Sequence, residues 1–204
     1  MTGTAPPSAA SDAVSAAEAA RFGEALERLL PGGGRIGLAV SGGPDSLAML
    51  LLAHAAAPGR VEAATVDHGL RPESAAEAAF VAGTCAGIGV PHATLGVTVP
   101  AGNLQEEARK ARYAALSGWA AERGLAALAT AHHADDQAET VLMRLNRASG
   151  LGGLAGVRAR GTVPGGSLPV IRPLLGWRRG ELAAIVARAR IAPVEDPSNL
   201  DMRF

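Results

Sequence analysis

The chain is predicted to fold as an α/β protein, a doubly wound parallel sheet of about five strands. Two observations lead there. Short apolar runs alternate with longer Ala- and Leu-rich segments from residue 35 to residue 190, the pattern of a parallel sheet carrying helices on both faces. Polar clusters also follow the strand-like runs directly: Ser41-Gly42-Gly43-Pro44-Asp45-Ser46, then Asp67-His68, then His132-His133. In an open parallel sheet, ligands bind beyond the carboxyl ends of the strands.

Residues 1–14, rich in Thr, Ala, Pro and Ser, are expected to form a disordered tail ahead of one folded domain over 15–204. Phe22, Leu26, Leu29 and Leu30 share one helical face, and Pro31-Gly32-Gly33-Gly34 ends that helix. Residues 35–40 read as the first strand. Residues 46–54, too apolar and Leu/Ala-rich for a surface element, read as a buried helix that Pro58-Gly59 breaks. Residues 61–66 form the second strand, and Pro72 suits the first turn of a helix reaching about Gly87. A third strand spans 91–99. Asn103 caps a helix through about Arg123, with Glu106 at the capping-box position. A fourth strand covers 125–130. The helix after it carries His132, Asp136 and Glu139 within roughly 60° of one another, with Ala134, Ala138, Val141, Leu142 and Leu145 on the opposite side facing the sheet. Gly165-Gly166 turns a hairpin into residues 170–175, and a last helix covers 178–190.

Composition narrows the function. Net charge is zero, but residues 1–100 hold 5 basic and 9 acidic side chains, and residues 101–204 hold 14 and 10. That bias is compatible with a nucleic-acid partner. Aromatic residues make up 3% of the chain, too few for a base-stacking platform. Cys85 is the single cysteine, which excludes an internal disulfide; its apolar surroundings mark a buried spectator. No apolar run approaches the roughly 20 residues that span a membrane, and no signal-peptide pattern opens the chain. A cytoplasmic protein without membrane contact is expected.

The glycine loop is the first chemically informative place. Glycines let a backbone approach a ligand closely, and the following helix start offers unpaired N–H groups and a positive dipole end. The loop lacks the lysine of the common phosphate-binding motif. The second place is the end of the fourth strand, where a histidine and two acids gather at the ligand edge; such clusters are candidates for chemistry. Asp67 and His68 fit either ligand contact or helix capping.

Ser41-Gly42-Gly43-Pro44-Asp45-Ser46 resembles the PP-loop of ATP pyrophosphatases. Together with residues 66–71, 103–113, 130–155 and 195–204, it is similar in order and spacing to the N-terminal catalytic domain of the tRNA(Ile)-lysidine synthetase family. The resemblance implies PP-loop ATPase architecture and an AMP-forming carbon–nitrogen ligase. Such an enzyme adenylates the wobble cytidine of an isoleucine tRNA with a CAU anticodon at its C2 oxygen; free lysine then displaces AMP. It implies ATP as substrate and Mg2+ as cofactor, with a homodimer as one possible assembly. By the same resemblance, Ser41, Gly42, Gly43, Pro44, Asp45, Ser46, Asp67 and His68 bind the nucleotide. Asp45 holds metal or lysine, Arg112 faces the α-phosphate, and His132, Asp136 and Glu139 position lysine and take its proton. No magnesium ligand set is assigned. The family's motif continues past the position of Phe204, and its C-terminal tRNA-binding regions are missing, so the chain is expected to be truncated at its C-terminal end.

Other readings stay open: a different PP-loop enzyme, such as a tRNA thiolase or an amide-forming synthetase, or a non-catalytic nucleotide sensor. Sulfur transfer normally needs catalytic cysteines, which a single buried thiol does not supply, and a sensor has no use for the His–Asp–Glu group.

Overall fold

The structure, a computed structural model, describes residues 12–69, 73–99, 103–146 and 156–194. Its elements in order are α1 (Ala16–Leu29), β1 (Ile36–Ala39), α2 (Pro44–Ala56), β2 (Val61–Asp67), α3 (Ser74–Gly87), β3 (His92–Gly96), α4 (Leu104–Glu122), β4 (Ala127–Ala129), α5 (Ala134–Asn146), β5 (Arg160–Thr162), β6 (Pro169–Ile171) and α6 (Arg179–Arg188). Arg71, Pro72, residues 147–155 and the run Glu195-Asp196-Pro197-Ser198-Asn199 lie outside the described residues.

The sheet has six strands in the order β3-β2-β1-β4-β6-β5. All neighbours are parallel except β5 and β6. The antiparallel pair β5–β6 flanks the turn expected at Gly165-Gly166, and its three-residue edge strand β5 brings the sheet to six strands. The chain winds outward through β1, β2 and β3, and α4 then carries it back to β4 on the other side of β1. The order of winding therefore reverses between β1 and β4, and a crevice opens there beyond their carboxyl ends.

Each central strand divides its side chains between two cores with a period of two. Ile36, Leu38, Val61, Ala63, Ala127, Ala129 and Ile171 face the larger one, beneath α1, α2, α3 and α6. Ala64, Leu128 and Val170 face the smaller one, against Tyr113, Leu116, Trp119 and Ala120 of α4. Every residue of α2 from Ser46 to Ala53 is buried, as its unbroken apolar sequence demands. Gly37 admits α4: a Cβ there would stand 2.7 Å from Trp119 Cζ3 and 2.9 Å from both Leu125 Cδ1 and Leu128 Cδ2. Gly37→Ala is therefore expected to cost about 1–3 kcal/mol through overpacking, read as a lower denaturant midpoint.

Two expectations need correction here. The expected tail reaches too far into the chain, because Ala13 is buried and its carbonyl accepts from Arg188 Nε at 2.8 Å. The apolar side of α5 does not lie on the sheet. Ala138 is exposed, Leu142 and Met143 are each 59% exposed, and the Leu145 side chain is outside the described set. What anchors α5 is polar and lies at its start: Ala134 N–H donates to the Trp177 carbonyl, and Asp135 accepts the Arg179 N–H, at 2.9 and 2.8 Å. Gln137 adds a clasp, its side chain bonding both the N–H and the carbonyl of Val157.

Candidate functional site

The glycine loop joins β1 to α2 and is closed by its own serines. Ser46 Oγ donates to the Gly43 carbonyl at 2.9 Å and accepts the Ser41 N–H at 3.2 Å. Since its one hydrogen goes to Gly43, the 3.3 Å contact with Ser41 Oγ has Ser41 as donor. Ser46, almost fully buried, thus shapes the loop from within. Gly42 takes φ 90°, and a Cβ there would meet Val194 and Val81 at 3.0 and 3.2 Å. Gly43 differs: a Cβ would meet nothing nearer than Ser41 Oγ at 3.7 Å. Gly43 also caps α2 without a side-chain hydrogen bond, and Pro44 brings no N–H to the first turn. The remaining first-turn N–H groups and the dipole end of a largely buried helix lie at the carboxyl end of β1, an arrangement suited to an anion. Behind the loop, Thr65 Oγ1 donates to the Val40 carbonyl at 2.8 Å, so His92 Nε2, 2.9 Å from that oxygen, must donate to it.

Two adjacent histidines at the end of β4 divide the rest of the site. His133 is 1% exposed and was not singled out in the sequence, where His132 took the role. Its Nε2 lies 3.3 Å from Asp45 Oδ2 and 3.8 Å from Asp136 Oδ1, and its Nδ1 lies 3.5 Å from Asp135 Oδ2. Asp136 also accepts the His133 N–H at 2.8 Å, half of a capping box at the start of α5. An acid three residues after the histidine was the available sequence signal for that cap. Burial raises the pKa of Asp45 above its usual range, opposed by His133 and Arg179. Its Oδ1 is buried and has no hydrogen-bond partner among the described residues.

His132 precedes α5, so it is not on the helical stripe expected of it. Its Nδ1 lies 3.0 Å from Thr130 Oγ1. Burial lowers its pKa most, followed by the field of Arg172; Arg109 and Arg112 add to this and Asp136 opposes it. On α4, Lys110 is occupied by Glu106 and Glu107, each at 2.9 Å. Arg109 and Arg112 flank Tyr113 with guanidinium carbons 5.3 and 5.6 Å from the ring centroid. Of the three basic residues, these two lower the pKa of His132. His68 belongs to the same neighbourhood: burial and then Arg112 lower its pKa, and its Nδ1 is buried without a hydrogen-bond partner.

Two expected site residues stand apart. Asp67 is occupied by its own turn, bonding Ser74 and the Gly69 N–H, which together lower its pKa. These are turn contacts, and the N-cap of α3, Glu73, has no side-chain cap bond. Glu139 is exposed and lies 3.8 Å from Arg179 Nη2. The crevice thus has an acidic pocket around His133, suited to a cation, beside a cationic pocket around His132, suited to a phosphate. Among the described residues, no group of three or more His, Cys, Asp or Glu side chains is arranged to hold a metal.

Half-buried histidines with lowered pKa values also contribute to acid stability. His68, His92 and His132 all have depressed values, with burial the first cause in each. The unfolded chain therefore takes up protons that the native state refuses, and stability is lost as the pH falls below about 6.5. Denaturant midpoints should decline from pH 7 to pH 5, and His92→Gln should remove part of that slope.

A family described as the PP-loop domain matches residues 15–204. Curated relatives include the tRNA(Ile)-lysidine synthase of Novosphingobium aromaticivorans, 58% identical over 188 residues, covering 91% of this chain and 57% of the relative. The tRNA(Ile)-lysidine synthase of Zymomonas mobilis is 53% identical over 184 residues, covering 87% and 56%. The chain thus spans a little over half the length of these relatives. Among solved structures, the U34-tRNA thiolase NcsA of Methanococcus maripaludis, with its [4Fe-4S] cluster, superimposes with a TM-score of 0.70 at 17% identity, over 89% of this chain and 67% of that one. The NH3-dependent NAD synthetase of Campylobacter jejuni gives 0.55 at 14%, over 86% and 73%. These last two are likenesses of fold.

Proposed function

The chain belongs to the PP-loop domain family, and from that premise we propose that it catalyses ATP-dependent formation of lysidine at the wobble cytidine of a CAU-anticodon isoleucine tRNA. The observation that carries this reading is the identity of 58% and 53%, over about nine-tenths of the chain, with relatives named tRNA(Ile)-lysidine synthase. The two-pocket site supports it, because the reaction needs both an anion site and a cation site.

In the first step the cytidine C2 oxygen attacks the α-phosphorus of ATP, and the bond to pyrophosphate breaks. The loop from Ser41 to Ser46 holds the phosphates on backbone donors and the α2 dipole, already in place before charge develops. Arg112 supplies a fixed cation that cannot lose its proton. In the second step the lysine side-chain amine attacks C2 and AMP leaves. The amine arrives protonated at neutral pH, since its pKa in water is about 10.4. Asp45 and Asp136 attract it as an ammonium, and its proton must pass to a neighbouring acceptor as the C–N bond forms. His132 is a neutral base beside the site, although burial and the arginines around it lower its basicity.

Magnesium fits the acidic pocket, because the buried, unpartnered Asp45 Oδ1 offers one carboxylate ligand; phosphates and water commonly complete such a shell. When bound there, it would neutralise phosphate charge.

The test is AMP release from ATP by the complete protein, with lysine and CAU tRNA present together or singly. Release that needs both supports the reading; none under any condition removes it. Cys85 separates it from thiolation. Burial pushes that thiol up to about 12, so it stays protonated and inert. Cys85→Ala is expected to cost about 1 kcal/mol of stability and leave AMP release intact.

A further inference from the structure

Arg172 lies one residue beyond the carboxyl end of β6, two strands from the glycine loop in the sheet order. The Thr130 N–H donates to the Ile171 carbonyl at 3.0 Å, which sets the start of the Arg172 side chain beside the segment carrying His132. One end of its guanidinium is held: Nη1 donates to the Arg158 carbonyl at 2.7 Å. Its Nε–H is buried and has no hydrogen-bond partner among the described residues. His68 Nδ1, in the same basin, is also buried and unpartnered. Leaving such groups without a partner is costly, so their persistence points to a ligand that they serve.

The charges near His132 come from three elements: Arg172 after β6, Arg109 and Arg112 on α4, and Asp136 on α5. Three arginines against one carboxylate make a basin for an anion. A guanidinium anchored at one end, with a donor left over, is built for oxygen ligands in a fixed orientation.

We propose that Arg172 is a further phosphate-binding residue of this site, taking a phosphoryl oxygen beside His132 together with Arg112. Its ligand is either the nucleotide α-phosphate or a backbone phosphate of the RNA brought to it. This assignment rests on the nucleotide reading above, but it can fail separately.

The experiment measures binding of AMP, and of a CAU anticodon stem-loop RNA, to the wild-type chain and to Arg172→Gln and Arg172→Lys. Circular dichroism checks that each variant is folded. A loss of about tenfold in AMP affinity for Arg172→Gln, partly restored by Arg172→Lys, assigns the α-phosphate. Unchanged AMP affinity with weaker RNA binding, and a salt slope smaller by about one, assigns the RNA phosphate. In both cases partial rescue of affinity by Arg172→Lys, at unchanged thermal stability of the two variants, separates a phosphate contact from a merely structural role. Unchanged affinity for both ligands overturns the proposal, as does a wild-type chain that binds neither. If Arg172→Gln weakens AMP but the complete wild-type protein shows no lysine-dependent AMP release, the lysidine reading falls while Arg172 keeps its role.

Discussion

Asp45→Asn is expected to abolish adenylate formation, by roughly 10²- to 10³-fold in rate, the scale seen when a preorganised electrostatic contact is removed. The same change should leave the fold as stable as before or more so. Burial raises the pKa of Asp45 despite the nearby His133 and Arg179. A group with a raised folded-state pKa favours folding while it is protonated, and that contribution is lost as the pH rises through the folded value. At neutral pH an uncharged asparagine of the same shape therefore relieves a cost. A carboxylate that is 27% exposed, with one oxygen 3.3 Å from a buried histidine and the other unpartnered, is kept at the expense of stability. Melting temperature and single-turnover adenylation of one sample test both halves. A variant that adenylates at the wild-type rate would remove Asp45 from the first step.

Arg112→Ala and Asp136→Asn are expected to stop the reaction at different points. Arg112 lies in the cationic pocket, where its field reaches both His68 and His132. Without it, phosphate charge in the first transition state loses a fixed counter-charge, and no adenylate should appear. Asp136 lies in the acidic pocket within 3.8 Å of His133 Nε2. Its amide variant should still adenylate tRNA but transfer lysine roughly 10²-fold more slowly, so that adenylated tRNA accumulates. Asn at 136 can still accept the His133 N–H that begins α5, so loss of the cap should not obscure the result. Glu139→Gln is expected to have a smaller effect, since Glu139 is exposed and lies near Arg179 at 3.8 Å. Label from α-labelled ATP, followed on tRNA and in AMP through one turnover, separates the steps. If Asp136→Asn loses adenylate as completely as Arg112→Ala, Asp136 serves the nucleotide as Asp45 does, and its assignment to lysine is wrong.

The glycine loop, the alternation of strand and helix, and the gathering of polar residues at the strand ends were legible in the residue order because each depends on neighbours along the chain. Glycine opens positive φ and proline fixes φ locally, an unbroken Leu/Ala run has only the interior to occupy, and polar residues after a strand must sit at its end. The choice between His132 and His133 was not legible. Both follow β4, and which ring enters the acidic pocket is set by Asp45, 88 positions away from His133, once β1 and β4 lie side by side. The unpacked face of α5 has a similar cause: periodicity shows that a helix has an apolar side, but the position of α6 and the bonds from Trp177 and Arg179 decide how α5 is held. Arg172 gave no signal in sequence, because its importance comes from a parallel pairing that joins Val170 and Ile171 to Leu128 and Ala129. Contacts between residues distant in the chain follow from strand order, and burial then fixes which charges they feel.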